Sequence, residues 1–147
     1  METTVSISEG SVSLGASYIF SEYYPDSNGV NLLLRIGEHN THFYCCIESE
    51  NDGRIELYED AVVSSTGIEK QSFNTNRSSD RPTNNHIFQN PVFSGGAKII
   101  NGILGKAKES CSKELPPLIV LKPNTDYVVR VILQDQTNVS IFITLTV

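Results

Sequence analysis

The C-terminal stretch "NVSIFITLTV" (Asn138–Val147) decides the fold class. Val139, Ile141, Ile143, Leu145 and Val147 alternate with Ser140, Thr144 and Thr146. A period of two sends the first set to one face and the second to the other, which is the pattern of a strand with one buried side. β-Branched residues pack well on such a pleated surface. Upstream, "YVVRVIL" aligns Tyr127, Val129, Val131 and Leu133 in the same way. "HFYCCIE" sets Phe43, Cys45 and Ile47 against His42, Tyr44, Cys46 and Glu48, and "VNLLLRI" sets Val30, Leu32, Leu34 and Ile36 against Asn31 and Arg35.

Turn signals separate these blocks: "DSNG" at Asp26, "NDG" at Asn51, "STG" at Ser65 and "KPNTD" at Lys122. Gly, Asn, Asp and Pro supply the backbone geometry that turns need. "ESENDGRIELYE" therefore predicts a hairpin turning at Asp52-Gly53, and "LQDQTN" predicts a second one between the last two strands. Short strands with frequent turns indicate an all-β, antiparallel sandwich or jelly roll. The length of 147 residues suits one domain over 1–147. Residues 1–14 are a first strand or an N-terminal arm that adds to a neighbour's sheet, with Val5 and Ile7 as its apolar contacts.

Between Ala97 and Ser110 the period changes. Ile99, Ile100, Ile103 and Leu104 have helical spacing, and this is the place where a short helix is expected. Gly102 and Gly105 weaken it, by about 1 kcal/mol each relative to Ala. Pro116-Pro117 must precede the following strand or lie at its edge.

Composition narrows the function. Eleven Lys+Arg against seventeen Asp+Glu leave a formal charge of -6. That surface repels nucleic-acid phosphates at long range, so no nucleic-acid partner is expected. No apolar run reaches the roughly 18 residues of a membrane helix, and the polar start "METTVSISEG" lacks the basic and apolar regions of a secretory signal. Synthesis in a reducing cytoplasm follows, and with it three unpaired thiols at Cys45, Cys46 and Cys111.

Chemistry-bearing constellations are sparse. His39, His42, Cys45 and Cys46 form a tempting string, but on a strand His42 and Cys46 share one face while His39 and Cys45 take the other, so no metal site is expected. Nothing marks a base for a cysteine nucleophile. Glu48, Glu50, Glu56, Glu59 and Asp60 flank the predicted hairpin, where a solvated acidic face is the ordinary meaning. Gly95-Gly96 lacks the Lys-Ser/Thr of a phosphate loop. The expectation is a non-enzymatic binding or assembly domain, with no cofactor and no small-molecule substrate.

One segment stands apart. "FNTNRSSDRPTNNHIFQN" (Phe73–Asn90) holds five Asn, two Arg and one Pro. Strands on both sides, with Phe73, Ile87, Phe88 and Phe93 to pin the ends, make it an ordered, partner-facing loop. Asn74, Asn76, Arg77 and Arg81 are its candidate contacts, because Asn both donates and accepts while Arg forks onto carboxylates.

Three motifs in order, "RIELYEDAVVSSTG", "FNTNRSS" and "IVLKPNTDYVVRVI" leading into "NVSIFITLTV", resemble a family of small virion proteins encoded by tailed bacteriophages. The resemblance covers roughly Asn31 to Val147, and "LKPNT-x-Y" is its most specific element. The family's Arg-Asn doublets are replaced here by "NTNRSSDR", and its Gly-rich segment by "SGGAKIINGILGKAKES". The resemblance implies a jelly-roll β-sandwich on the capsid exterior, a trimer that decorates the head and binds the major capsid protein. The alternative it leaves open is a receptor-binding or fibre-associated module of the virion.

Overall fold

A computed structural model describes residues 15–104, 113–114 and 119–147. Twelve strands are present among them: β1 (Ser17–Arg35), β2 (Thr41–Ser49), β3 (Gly53–Glu59), β4 (Val62–Ser65), β5 (Ile68–Lys70), β6 (Phe73–Asn74), β7 (His86–Gln89), β8 (Val92–Ser94), β9 (Ala97–Leu104), β10 (Lys113–Glu114), β11 (Ile119–Leu121) and β12 (Asp126–Thr146). Every pairing among them is antiparallel. The chain is all-β, as the alternation requires.

The organising element is the long ribbon of β1 and β12. It pairs Ser17 with Thr146 at one end and Arg35 with Asp126 at the other. On the free side of β12, β2 takes Val139–Thr146 and β3 takes Tyr127–Leu133, so the two lie end to end along one edge. All three ribbons break at one level. Here β1 shifts register between Tyr24 and Gly29, Asn51 and Asp52 link β2 to β3, and Gln134, Asp135 and Gln136 are exposed within β12. The Gln134 amide donates to the Asp52 carbonyl, and the Glu50 amide to that of Asn138. The sheet folds over along this crease.

Two predicted turns are corrected by this arrangement. β2 and β3 do not pair as a hairpin, and "LQDQTN" does not reverse the chain, which continues as β12. "DSNG" likewise bends β1 without ending it. Loss of periodicity with polar and Gly residues signals either a reversal or a crease, and here three such signals lie side by side. The crease needs unusual backbone: Asp26 has φ 49° and Gly29 has φ 152°. A side chain at Gly29 would run into the carbonyl of Val131, a contact only glycine escapes.

Folding over brings two halves face to face as a β-sandwich. One half carries β6, the first part of β1, the last part of β12, and β2 with β10 and β11. The other carries β5, β7, the last part of β1, the first part of β12, β3 and β9. A single core joins them, with Phe20, Phe43, Ile47, Ile141 and Ile143 from the first half against Leu32, Leu34, Ile55, Leu57 and Val129 from the second. Tyr127 lies within it, fully buried. Its hydroxyl donates to Glu59 Oε2 at 2.9 Å and accepts the Lys122 amide at 3.0 Å, as a buried phenol requires. No buried side-chain polar atom among the described residues lacks a partner.

The expected short helix is absent from Ala97–Leu104, which forms β9 against β3. Its spacing was ambiguous because Ile100 and Leu104 lie four apart, an even number that also places both on one face of a strand. Three β-branched Ile residues then favour the extended form. The part of that prediction beyond Leu104 lies outside the described residues. The cysteine expectation also changes: Cys46 is disulfide-bonded, while Cys45 is a free, buried thiol. Burial pushes the Cys45 thiol up to about 12, so it is an inert core residue.

Candidate functional site

The loop between β6 and β7 is ordered by its own side chains. Asn74 is 8% exposed, and its amide donates to the Gly15 carbonyl at 2.9 Å, the Arg81 carbonyl at 3.3 Å and Ser79 Oγ at 3.4 Å. Its carbonyl oxygen accepts the Asn76 amide at 3.0 Å, a local turn that Asn favours. Asn76 repeats the device one step on, accepting the Ser78 amide at 3.1 Å. At the far end, Asn85 accepts the Gly37 amide at 2.8 Å and donates to Thr41 Oγ1 at 3.2 Å. The Tyr18 hydroxyl lies 2.9 Å from the carbonyls of both Arg81 and Pro82, tying the loop to β1.

This corrects the reading of Asn74 as a partner contact, because its polar groups are spent inside the fold. Asn76 is half-buried, with its side-chain carbonyl engaged locally. Arg77 and Arg81 are exposed. The Arg77 guanidinium sits 5.2 Å from the centroid of the Phe73 ring, a cation–π arrangement. Phe73 is thus 46% exposed on the outside, and it does not pin the loop into the core as expected. Val5 and Ile7 lie outside the described residues.

Beside this loop, the outer face of the first half exposes apolar side chains. Phe73 stands opposite Ile19, Ile19 opposite Thr144, and Thr144 opposite Tyr44. Phe142 and Tyr23 extend the patch along the same strands. Each keeps between 37% and 57% of its surface exposed. Exposed apolar groups gathered on one face, with Arg77 at the rim, have the composition of an interaction surface.

The outer face of the second half is different. Leu33 and Val128 are fully buried there beneath the small two-stranded sheet of β4 and β8, packed with Tyr58, Phe88 and Phe93. Next to that roof, a row of polar residues crosses the sheet: Asn31 opposite Arg130, Arg130 opposite Glu56, and Glu56 opposite Asn101. Glu56 is 1% exposed. Its Oε2 receives Arg54 Nη2 at 2.9 Å and Lys98 Nζ at 2.8 Å, and its Oε1 receives the Tyr58 hydroxyl at 2.9 Å. Burial pushes the carboxyl up, but the hydrogen bonds from Lys98 and Tyr58 and the charges of Lys98 and Arg54 outweigh it, leaving Glu56 below its usual range. Glu56 is therefore a structural ion cluster, where a solvated acidic face was expected. The strand alternation of "RIELYE" carried this signal, since it places Arg54, Glu56 and Tyr58 on one face. Arg130, in the middle of "YVVRVIL", was the other available clue.

A groove of about 410 Å³ opens beside the cluster, lined by Asn31, Tyr58, Phe93, Ser94, Gly95 and Arg130 among others. Among the described residues no group of three or more His, Cys, Asp and Glu is gathered as for a metal ion. Comparison of the chain with models of known families, with curated proteins and with solved structures finds no match to any of them.

Proposed function

We propose that this chain is a non-enzymatic structural protein of a tailed-bacteriophage virion, a decoration protein that binds the major capsid protein on the outside of the head as a homotrimer. The sequence resemblance suggests the setting, and jelly-roll connectivity belongs to the same reading. The observation that carries it is the outer face of the first half, where Ile19, Tyr44, Phe73 and Phe142 stand exposed and Arg77 packs on Phe73. An ordered loop presents its cations at low entropic cost, because Asn74 and Asn85 already hold it in place.

Two further properties support the reading. The net charge of -6 suits the outside of a shell, away from packaged DNA. The Cys46 disulfide suits a protein whose working life is spent outside the cell. A protein that binds only the assembled shell stabilises it by mass action, and a trimer multiplies modest contacts through avidity.

The test is cryo-electron microscopy of the parent particle with the wild-type chain and with an Arg77→Ala, Arg81→Ala double variant. Density on the head at symmetry-related sites is expected, with occupancy reduced in the variant. Density confined to the tail tip would sink the decoration reading, and unchanged occupancy would remove the two arginines from the contact.

A further inference from the structure

Arg130 lines the groove on the second half with its charge uncompensated. It projects from β12 directly across from Glu56 on β3 and Asn31 on β1. Cross-strand neighbours of this kind lie about 5 Å apart at Cβ, close enough for a salt bridge. None forms. Both Glu56 oxygens are already engaged by Arg54, Lys98 and Tyr58, and Arg130 is exposed, with no ion pair or side-chain hydrogen bond among the described residues. The cluster thus sets three cations around one carboxylate, a local excess of positive charge in an acidic chain.

The rest of the groove is built around that guanidinium. Asn31 offers an amide and Ser94 a hydroxyl, and Gly95 leaves open space where a side chain would stand. Pro91, Val92 and Phe93 form an apolar flank. The floor is stiff. The Tyr58 ring packs on Phe93 with centroids 5.6 Å apart, and Lys98 Nζ lies 5.6 Å from the centroid of that same ring. Tyr58 is further held through its hydroxyl by the buried Glu56. The fixed rings of Tyr58 and Phe93 thus share the groove with the Arg130 guanidinium, whose planar fork matches a planar anion.

We propose that this groove is a carboxylate-binding site in which the Arg130 guanidinium pairs with the ligand carboxylate, Asn31 and Ser94 hydrogen-bond its neighbouring polar atoms, and Pro91 with Phe93 receive its carbon skeleton. Among the described residues Arg130 is the cation in the lining, and its planar fork matches the two oxygens of a carboxylate. The volume is at the low end of small-ligand sites, enough for one acidic sugar ring or one acidic side chain. This site lies on the other half of the sandwich from the proposed capsid contact and does not rest on that reading.

The experiment is a titration of the full-length chain, followed by the NMR signals of the Arg130 side-chain Nε–H and the Asn31 amide. One arm uses glucuronate, a second an acidic peptide with blocked termini, and a third inorganic phosphate. Saturable shifts with glucuronate or with the peptide are expected, and the arm that saturates first identifies the carboxylate's source. Arg130→Gln should weaken that binding about ten- to a hundredfold, the loss of a charge-assisted pair. Asn31→Ala, a second variant at an independent position, should weaken it less. Absence of shifts in both carboxylate arms overturns the proposal, as does binding unchanged in Arg130→Gln. Tighter binding of phosphate than of either carboxylate overturns the choice of ligand.

Discussion

The two outer faces of the sandwich share the same β1–β12 ribbon yet are finished in opposite ways. On the first half the ribbon exposes Ile19, Tyr23 and Phe142 to solvent. On the second it buries Leu33 and Val128 under a two-stranded sheet and surrounds a buried carboxylate with cations. The first face is broad and apolar, suited to contact with a large partner whose surface excludes water. The second is roofed, charged and narrow, suited to a small group. The two proposed contacts thus lie on opposite sides of a common core.

The contrast is sharpest if the roof is essential to the second face. Leu33→Ala removes a fully buried side chain beneath the β4–β8 sheet. The expected loss is about 2–5 kcal/mol in urea unfolding, from lost burial and the cavity left behind. A loss below about 1 kcal/mol would mean that the β4–β8 roof collapses freely onto the sheet beneath it, and the roofed face would then be no more rigid than the open one.

Glu56→Ala comes next. Its partners Arg54 and Lys98 are 57% and 37% exposed and can return to water. The cost is therefore expected at about 1–3 kcal/mol, below that of breaking a fully buried pair. The pH dependence has a definite sign. The folded-state carboxyl lies below its ordinary value of 4.5, so its stabilisation is fully present above that pH and is lost as pH falls through the native value. The gap between wild type and variant should accordingly close on acidification below about 4.5. A gap that is constant with pH would show that Glu56 contributes by packing alone.

The smallest effect on stability is expected on the first face. Phe142 is already 40% exposed, so Phe142→Gln should cost under about 1 kcal/mol in the same unfolding assay. Its effect on particle binding should be large by comparison. Full particle occupancy in this variant would detach the apolar face from the proposed function.

Much of the inner face was legible in the sequence. Alternation in "NVSIFITLTV", "YVVRVIL" and "VNLLLRI" identified Val139, Ile141, Val129, Val131, Leu32 and Leu34, all of which lie in the core. The crease was not legible, because turn residues mark where periodicity stops without saying whether the chain reverses. "KPNTD", which does turn the chain from β11 into β12, looks no different from "QDQTN", which does not. The Asn-rich loop was correctly read as ordered, yet the roles within it were not. Whether an Asn faces inward depends on which carbonyls surround it, and those of Gly15 and Arg81 reach Asn74 only in the folded chain. The gathering of cations around Glu56 was not spelled out for a similar reason: Arg54, Lys98 and Arg130 come from three strands that become neighbours only through β-pairing.

The β1–β12 ribbon also dictates when this protein can fold. Ser17 and Thr146 touch through their hydroxyls although 129 residues separate them. A ribosome adding about 5–20 residues per second needs roughly 6–26 seconds to cover that distance. Throughout that time β1 is already made and its principal partner is not. The strand's apolar residues must wait, and β2 and β3 wait with it, since they border β12 as well. Native structure therefore forms late, from one end of the chain meeting the other. Such high contact order predicts slow closure and a period of exposure to aggregation in every newly made copy.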